Sequence, residues 1–488
     1  MKLSTLVSAA SLAAVSSALI PLEVVGNRFV RPNTDADKDG EEFTIVGIDY
    51  QPGGASGYDE SAGKDVLSDE DACLRDAFVL QQLGVNTIRV YTVNPWINHD
   101  KCMSIFNAVG IYVVLDVSSP FNALSRTDPG STYNEGLLNR VFGVIDAFKG
   151  YPNTLGFFSG NEVVNDEKSA KVCPQYVRAL QRDMKEYIKL HANRTIPVGY
   201  SAADDDTLRR AMWAYLECDN SDNDNDDASS NSDFYGLNSY DWCSGRDNWQ
   251  TSGYGQLLDD FEDSSIPVFM SEYGCNVNSP RTFTEVSGGV YGDLAKAFSG
   301  GLIYEYSQEE SDYGLVDIDD DGNVKLRTDY TNLQNQYNNI TLPTASESDI
   351  KSDAPKAPKC GKSVVSDIDS SFQTNFTLPD CPAADMLKKG GGNKNIGKIV
   401  SVDKKSSKYT IKNTQGDEIS DTNIKIDSNN EINQPTGGSL DSASATAAAS
   451  TAGSSSSGSS TSSGLAGANA VNVGSIAASL FGLLYMLI

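Results

Sequence analysis

The chain has 488 residues, 39% of them hydrophobic, and a formal net charge of −28. That length allows a large core plus additional segments, and that charge excludes a protein built to grip a nucleic-acid backbone, which needs clustered Lys and Arg. With only two histidines, His99 and His191, a histidine triad or a histidine-rich metal site is disfavoured; no metal and no cofactor is expected, and carboxylate chemistry is favoured by elimination.

In chain order, Met1-Lys2 is followed by an apolar, small-residue run and then Ser16-Ser17-Ala18. This is the pattern of a secretory signal peptide spanning residues 1–18. Phe43-Thr44-Ile45-Val46-Gly47-Ile48 is a β-branched run that reads as a strand. Residues 69–83 carry Ala72, Leu74, Ala77, Phe78, Leu80 and Leu83 at helical spacing after an acidic first turn. Residues 85–91 and 111–115 read as strands, and 137–148 and 173–190 as helices. Such alternation argues for parallel α/β architecture, with a closed barrel and an open sheet both compatible.

Two apolar, aromatic-rich runs stand out, Leu155-Gly156-Phe157-Phe158 and Ile266-Pro267-Val268-Phe269-Met270. The first leads into Gly160-Asn161-Glu162 and the second into Ser271-Glu272-Tyr273-Gly274-Cys275. Each puts a glutamate just past a strand's C-terminal end, where the catalytic side chains of a (β/α)8 barrel sit. Residues 217–233, rich in Asp, Asn and Ser, read as a solvated loop. Asp317-Ile318-Asp319-Asp320-Asp321-Gly322 begins like a calcium loop, but Thr328 stands where the bidentate Glu is required, and a hairpin turn is the simpler reading.

Beyond Pro343 the composition turns polar. Residues 344–434 form an extension, Lys-, Asn- and Gly-rich from 384, with strand-like fragments that leave open whether it folds. Residues 435–466 are a Ser/Gly/Ala-rich linker. The last thirteen residues are apolar, too few at about 1.5 Å per residue to span a core of about 30 Å. With the small residues and spacer before them, residues 467–488 match a GPI-attachment signal. Eight cysteines behind a signal peptide indicate disulfides, without choosing among pairings. Asn193, Asn339 and Asn375 head glycosylation sequons.

A retaining glycosidase uses one carboxylic acid to protonate the leaving oxygen and one carboxylate to attack the anomeric carbon. Glu162 and Glu272 are the candidate pair, and the amide of Asn161 can hold a sugar 2-hydroxyl. The segments Gly47-Ile48-Asp49-Tyr50-Gln51-Pro52, Asn86-Thr87-Ile88-Arg89-Val90-Tyr91, Leu115-Asp116, Gly160-Asn161-Glu162, Tyr240-Asp241-Trp242-Cys243, Ser271-Glu272-Tyr273-Gly274-Cys275 and Gly301-Leu302-Ile303-Tyr304-Glu305-Tyr306 together carry a specific pattern. Over roughly residues 22–343 the chain resembles the fungal GPI-anchored β-1,3-glucanosyltransferases of glycoside hydrolase family 72.

The resemblance implies a monomeric (β/α)8 TIM barrel over residues 19–343, with β-1,3-glucan as donor and acceptor. It implies a secreted protein held by a GPI anchor at the outer face of the plasma membrane or in the wall. Glu162 would be the acid/base and Glu272 the nucleophile. Gln51, Tyr91, Asp116, Asn161, Tyr240 and Tyr306 would contact glucose. Family pairing would join Cys73 to Cys102, Cys218 to Cys360 and Cys243 to Cys275, leaving Cys173 and Cys381 over. Only Cys360 and Cys381 lie beyond residue 343, so the chain looks like the subgroup without the Cys-rich glucan-binding module. Asn94 stands where relatives often have Asp. A hydrolytic β-1,3-glucanase would use the same two glutamates, and a non-catalytic glucan-binding wall protein would need neither.

Overall fold

A computed structural model describes residues 19–440 apart from 36, 55–57, 222–228, 427–429 and 436. The expected signal peptide, GPI signal and most of the linker lie outside the described residues. Eight parallel strands close into a barrel in sequence order: β1 (Ile45–Asp49), β2 (Thr87–Val90), β3 (Tyr112–Asp116), β4 (Thr154–Asn161), β5 (Val198–Ala203), β6 (Phe234–Asn238), β7 (Val268–Tyr273) and β8 (Phe298–Ile303). The seam is shut by β8 on β1, from Gly300 opposite Ile45 to Ile303 opposite Ile48. Closure settles the choice that strand–helix alternation leaves open. The strands are buried almost throughout, as a parallel sheet covered by helices requires.

The outer helices start and stop where their ends are satisfied. In the helix Glu70–Leu83, the Asp69 side chain accepts from the amides of Asp71 and Ala72, and Gly84 at φ 84 closes the C-terminus. The helix Glu135–Phe148 is capped by Asn134, and Pro174–His191 opens on a proline that needs no donor there.

A three-stranded antiparallel sheet, Glu23–Val25, Arg28–Arg31 and Glu41–Phe43, precedes the barrel. It delivers Phe29 into the N-terminal end of the barrel, 5.9 Å between ring centroids from both Phe234 and Phe269. Phe158 joins them at 5.2 Å from Phe234. The aromatic layer leaves no room at Gly199, where a Cβ would lie 2.3 Å from the Phe234 ring.

The polar extension is bound to the barrel as a belt. Cys360 is disulfide-bonded to Cys218, and the Phe376 ring stacks on Tyr215 at 4.6 Å. Asn393 and Asn395 donate side-chain amides to the Pro95 carbonyl at 2.9 and 3.0 Å. The amides of Lys398 and Val400 donate to Asp100 and Ser104. Ile411–Lys412 adds a parallel strand to the hairpin of Val316–Ile318 and Val324–Leu326. Near its end, the Asn433 side chain donates to the Val85 carbonyl and its backbone N–H to that of Gly110. Side chain–backbone bonds and scattered apolar contacts such as Leu387, Ile411 and Ile424 share this work, so no periodic apolar pattern marks the segment in advance.

The solvated-loop reading of residues 217–233 is corrected at its described ends. Ser230 and Ser232 are fully buried, because the buried Arg178 guanidinium needs acceptors and takes Ser230 Oγ at 2.9 Å. The turn after Ile318 is a hairpin in which the Asp319 carboxylate accepts from the amides of Asp321 and Asn323. Among the described residues no acidic, histidine or cysteine cluster is arranged to hold a metal, and no helix is long and apolar enough to cross a membrane.

Candidate active site

Glu162 follows the last residue of β4 directly and has φ 49. That left-handed backbone is uncommon for a residue with a Cβ and costs on the order of 1–3 kcal/mol. Its N–H donates to the Ser201 carbonyl of β5 at 2.8 Å, which helps to hold the conformation. Glu272 lies inside β7, one residue before its end, rather than past it. The pairing of β7 continues irregularly to Tyr273, so the strand carries the glutamate to the rim.

Arg89, on β2, ties the two sides together. Its Nε and Nη2 grip Asp116 at 2.9 and 3.2 Å, Nη2 also donates to Asn161 Oδ1 at 3.1 Å, and Nη1 donates to Glu272 Oε1 at 3.2 Å. Its guanidinium carbon sits 4.3 Å from the Tyr91 ring centroid and 4.5 Å from that of Phe158. Glu272 accepts two further bonds, from Tyr91 to Oε1 and from Tyr240 to Oε2, both 2.9 Å. Asn238 at the end of β6 donates from one amide nitrogen to Asn161 Oδ1 at 3.0 Å and to Glu162 Oε1 at 2.9 Å. Both glutamates therefore hang on one hydrogen-bonded frame.

Burial is the largest influence on Glu272 and pushes its carboxyl up to about 7. Arg89 opposes the rise, Glu162 adds to it, and the Tyr91 and Tyr240 hydroxyls oppose it. Guanidinium hydrogens can only be donated, so the geometry around Glu272 is built for the carboxylate form. Asp49, fully buried at the end of β1, is raised well above the usual carboxylate range by burial, against the pull of Arg89.

Tyr91, Asn161 and Tyr240 converge on the glutamates. The other three proposed sugar contacts sit behind them. The Gln51 side-chain oxygen accepts from the Thr92 amide, Asp116 is 2% exposed under Arg89, and Tyr306 is 1% exposed with its hydroxyl on Asp76. Tyr306 does not reach the cleft, because the buried Asp76 carboxylate draws its hydroxyl toward the helix Glu70–Leu83. The aromatic ring at the rim is Tyr304, packed edge-on against Tyr91 at 6.4 Å, Tyr240 at 6.3 Å and Tyr313 at 5.2 Å. Tyr304, Tyr313, Asn238 and Arg89 escape the sequence reading, although Arg89 and Tyr304 lie inside segments it singles out.

Cys243 and Cys275 are bonded, tying the chain just after Tyr240 to that just after Glu272. Cys73 bonds Cys102, while Cys173 and Cys381 are free thiols. Asn94 braces its own loop, accepting from the Trp96 amide and donating to the Glu60 carbonyl. Asn193, Asn339 and Asn375 all lie on the surface.

A family model described as glucanosyltransferase, glycoside hydrolase family 72, matches residues 11–341. The Saccharomyces cerevisiae protein named "Probable 1,3-beta-glucanosyltransferase GAS3" is 51% identical, over 89% of this chain and 85% of its own. The Aspergillus fumigatus 1,3-beta-glucanosyltransferase gel2 is 50% identical over 87% of each chain. Among solved structures, a Saccharomyces cerevisiae Gas2p mutant in complex with laminaritetraose and laminaripentaose matches with a TM-score of 0.63 and 37% identity, over 75% of this chain and 76% of that chain. Barrel, carboxylate pair and relatives agree: this chain belongs to the glucanosyltransferase family, glycoside hydrolase family 72.

Proposed function

We propose that the chain is a retaining β-1,3-glucanosyltransferase that cuts β-1,3-glucan internally and lengthens a second glucan chain. The observation that carries this reading is the shared frame of Arg89, Asn161 and Asn238, from which Glu162 and Glu272 both hang. In the first step the Glu162 carboxyl gives its proton to the glycosidic oxygen. The C1–O bond breaks, the reducing-end portion leaves, and a Glu272 oxygen bonds to C1. In the second step Glu162 takes the proton of the acceptor's terminal 3-hydroxyl. That oxygen attacks C1, the bond to Glu272 breaks, and a new β-1,3 bond forms with net retention.

Asn161 holds the sugar 2-hydroxyl, and the flat faces of Tyr91, Tyr240 and Tyr304 carry the rings. Water as acceptor would give hydrolysis through the same intermediate. The residues at the two ends of the sequence support a secreted protein held by a GPI anchor, with glycans on its exposed sequons. The test is to incubate the secreted chain, cut before the linker, with a reduced β-1,3-gluco-oligosaccharide and to size the products. Products longer than the starting oligosaccharide are expected. Shorter products alone would make the protein a hydrolase.

A further inference from the structure

We infer that the turn at residues 368–371, in the C-terminal extension, is a wall of the sugar cleft that sets acceptor binding. The inference rests on the proposed transfer reaction and adds to it an element from outside residues 11–341, the part matched by the family model.

A cleft of about 1220 Å³ is lined by segments that follow Glu162 and Tyr240 in the chain, with neither glutamate in its own lining. Its lining starts at Asn165, three residues past Glu162, and includes Asp241, the neighbour of Tyr240. It exceeds the roughly 300–1,000 Å³ of a pocket for one small ligand, and so suits a chain of sugars. Facing the 205–210 and 251–256 segments across it are Ile368, Asp369, Ser370 and Ser371.

The lining is mostly hydroxyls and carboxylates, with seven carboxylates against two guanidiniums, Arg210 and an Arg209 already paired to Asp204, Asp206 and Asp260. Carboxylates accept hydrogen bonds from hydroxyls and repel anions. The ligand class is therefore a neutral, polyhydroxylated chain. Because Glu162 protonates the leaving oxygen, the space opening from the loop after Glu162 belongs first to the leaving chain. By microscopic reversibility it belongs next to the acceptor.

The wall is prebuilt. Upstream, Cys360 is bonded to Cys218. Downstream, the Gln373 amide donates to the Ala170 carbonyl at 3.1 Å, and Phe372 is buried beside Tyr215. Within the turn, the Asp369 carboxylate accepts from the Ser371 amide and hydroxyl at 2.7 and 2.8 Å. Ser370 is exposed at its tip. A turn pinned on both flanks keeps its shape when a chain binds, so its bulk is felt directly.

The test uses a donor whose leaving group is a single nitrophenyl group, so that the first step does not need the cleft. Nitrophenol release and transfer to β-1,3-gluco-oligosaccharide acceptors of increasing length are measured on the full secreted chain. Ser370→Trp is expected to leave nitrophenol release without acceptor within about twofold, while the acceptor concentration for half-maximal transfer rises about tenfold, one decade of affinity. Asp369→Ala adds no bulk, and a smaller rise in the same quantity keeps the inference testable if the Trp variant does not fold. Unchanged acceptor dependence in both variants, with normal wild-type transfer, would overturn the wall alone. Parallel loss of release and transfer would also overturn it, since that marks general damage. A wild-type chain that gives no transfer product would overturn the transfer reading and the wall with it.

Discussion

Arg89→Lys keeps the charge at the centre of the site and removes its shape. The guanidinium makes five side-chain hydrogen bonds: two to Asp116 and one each to Glu272, Asn161 and the Ser271 carbonyl. An ammonium has three donors on one atom, so at least two of these bonds are lost. Hydrogen bonds to charged groups contribute about 1.5–3 kcal/mol each, so the expected loss of stability is at least about 3 kcal/mol. The bond to Glu272 from a terminal nitrogen is among those at risk, and its loss removes a donor that favours the Glu272 anion. The acidic limb of the kcat/KM profile should therefore move to higher pH, and kcat should fall. Urea unfolding gives the stability and transglycosylation rates across pH give the limb. An unchanged urea midpoint together with an unmoved acidic limb would refute the account of Arg89 as the shared support.

Three further outcomes are expected. Glu162→Ala and Glu162→Gly should both be inactive, with the Gly variant more stable by about 1 kcal/mol, since only Gly takes φ 49 without penalty; equal melting temperatures would deny the backbone strain. Burial raises Glu285 and Glu305 to about 7, each against a hydrogen bond from a serine. Each is protonated more readily when folded, so its stabilising effect is complete below about pH 4.5 and is lost as pH rises through 7, up to about 3 kcal/mol per group. The melting temperature should therefore fall between pH 5 and 8, and Glu285→Gln should flatten that fall; a parallel curve for the variant would count against it. Tyr304→Ala should lower kcat/KM about 10-fold or more, on the order of one lost stacking contact of about 1–3 kcal/mol, whereas Tyr306→Phe should leave KM unchanged and cost about 1.5–3 kcal/mol of stability, the bond to the Asp76 carboxylate being lost. Reversal of that pair in kinetic assays would restore Tyr306 to the cleft.

The two glutamates were legible because each follows a run that must be apolar on both faces of the sheet, a local property of about five residues, although the strand itself carries on through Glu272. The helix starting after Asp69 was legible for a similar reason, since cap, acidic turn and apolar spacing all lie within one window. Tyr304 and Tyr306 could not be told apart, because the choice is made by Asp76, far away in the chain, which captures one hydroxyl and leaves the other ring at the rim. Asn238 escapes the sequence reading because its role appears only when the closed barrel brings it against Asn161 and Glu162 of the β4 end. The belt of residues 384–434 was opaque because Asn393, Asn395 and Asn433 bind backbone carbonyls, and such bonds leave no periodic trace.

The path of that belt also decides where the chain leaves the barrel. It passes Asn433 and Pro435, beside Val85 and against Gly84 just before β2 begins, and reaches Gly437, whose N–H donates to Asn338. That is the N-terminal face of the barrel, and Glu162 and Glu272 open on the opposite one. A chain continuing from there leaves the barrel on the face opposite its mouth, so whatever holds that end does not cover the catalytic side. A glucan chain could then be engaged without the C-terminal segment standing in its way.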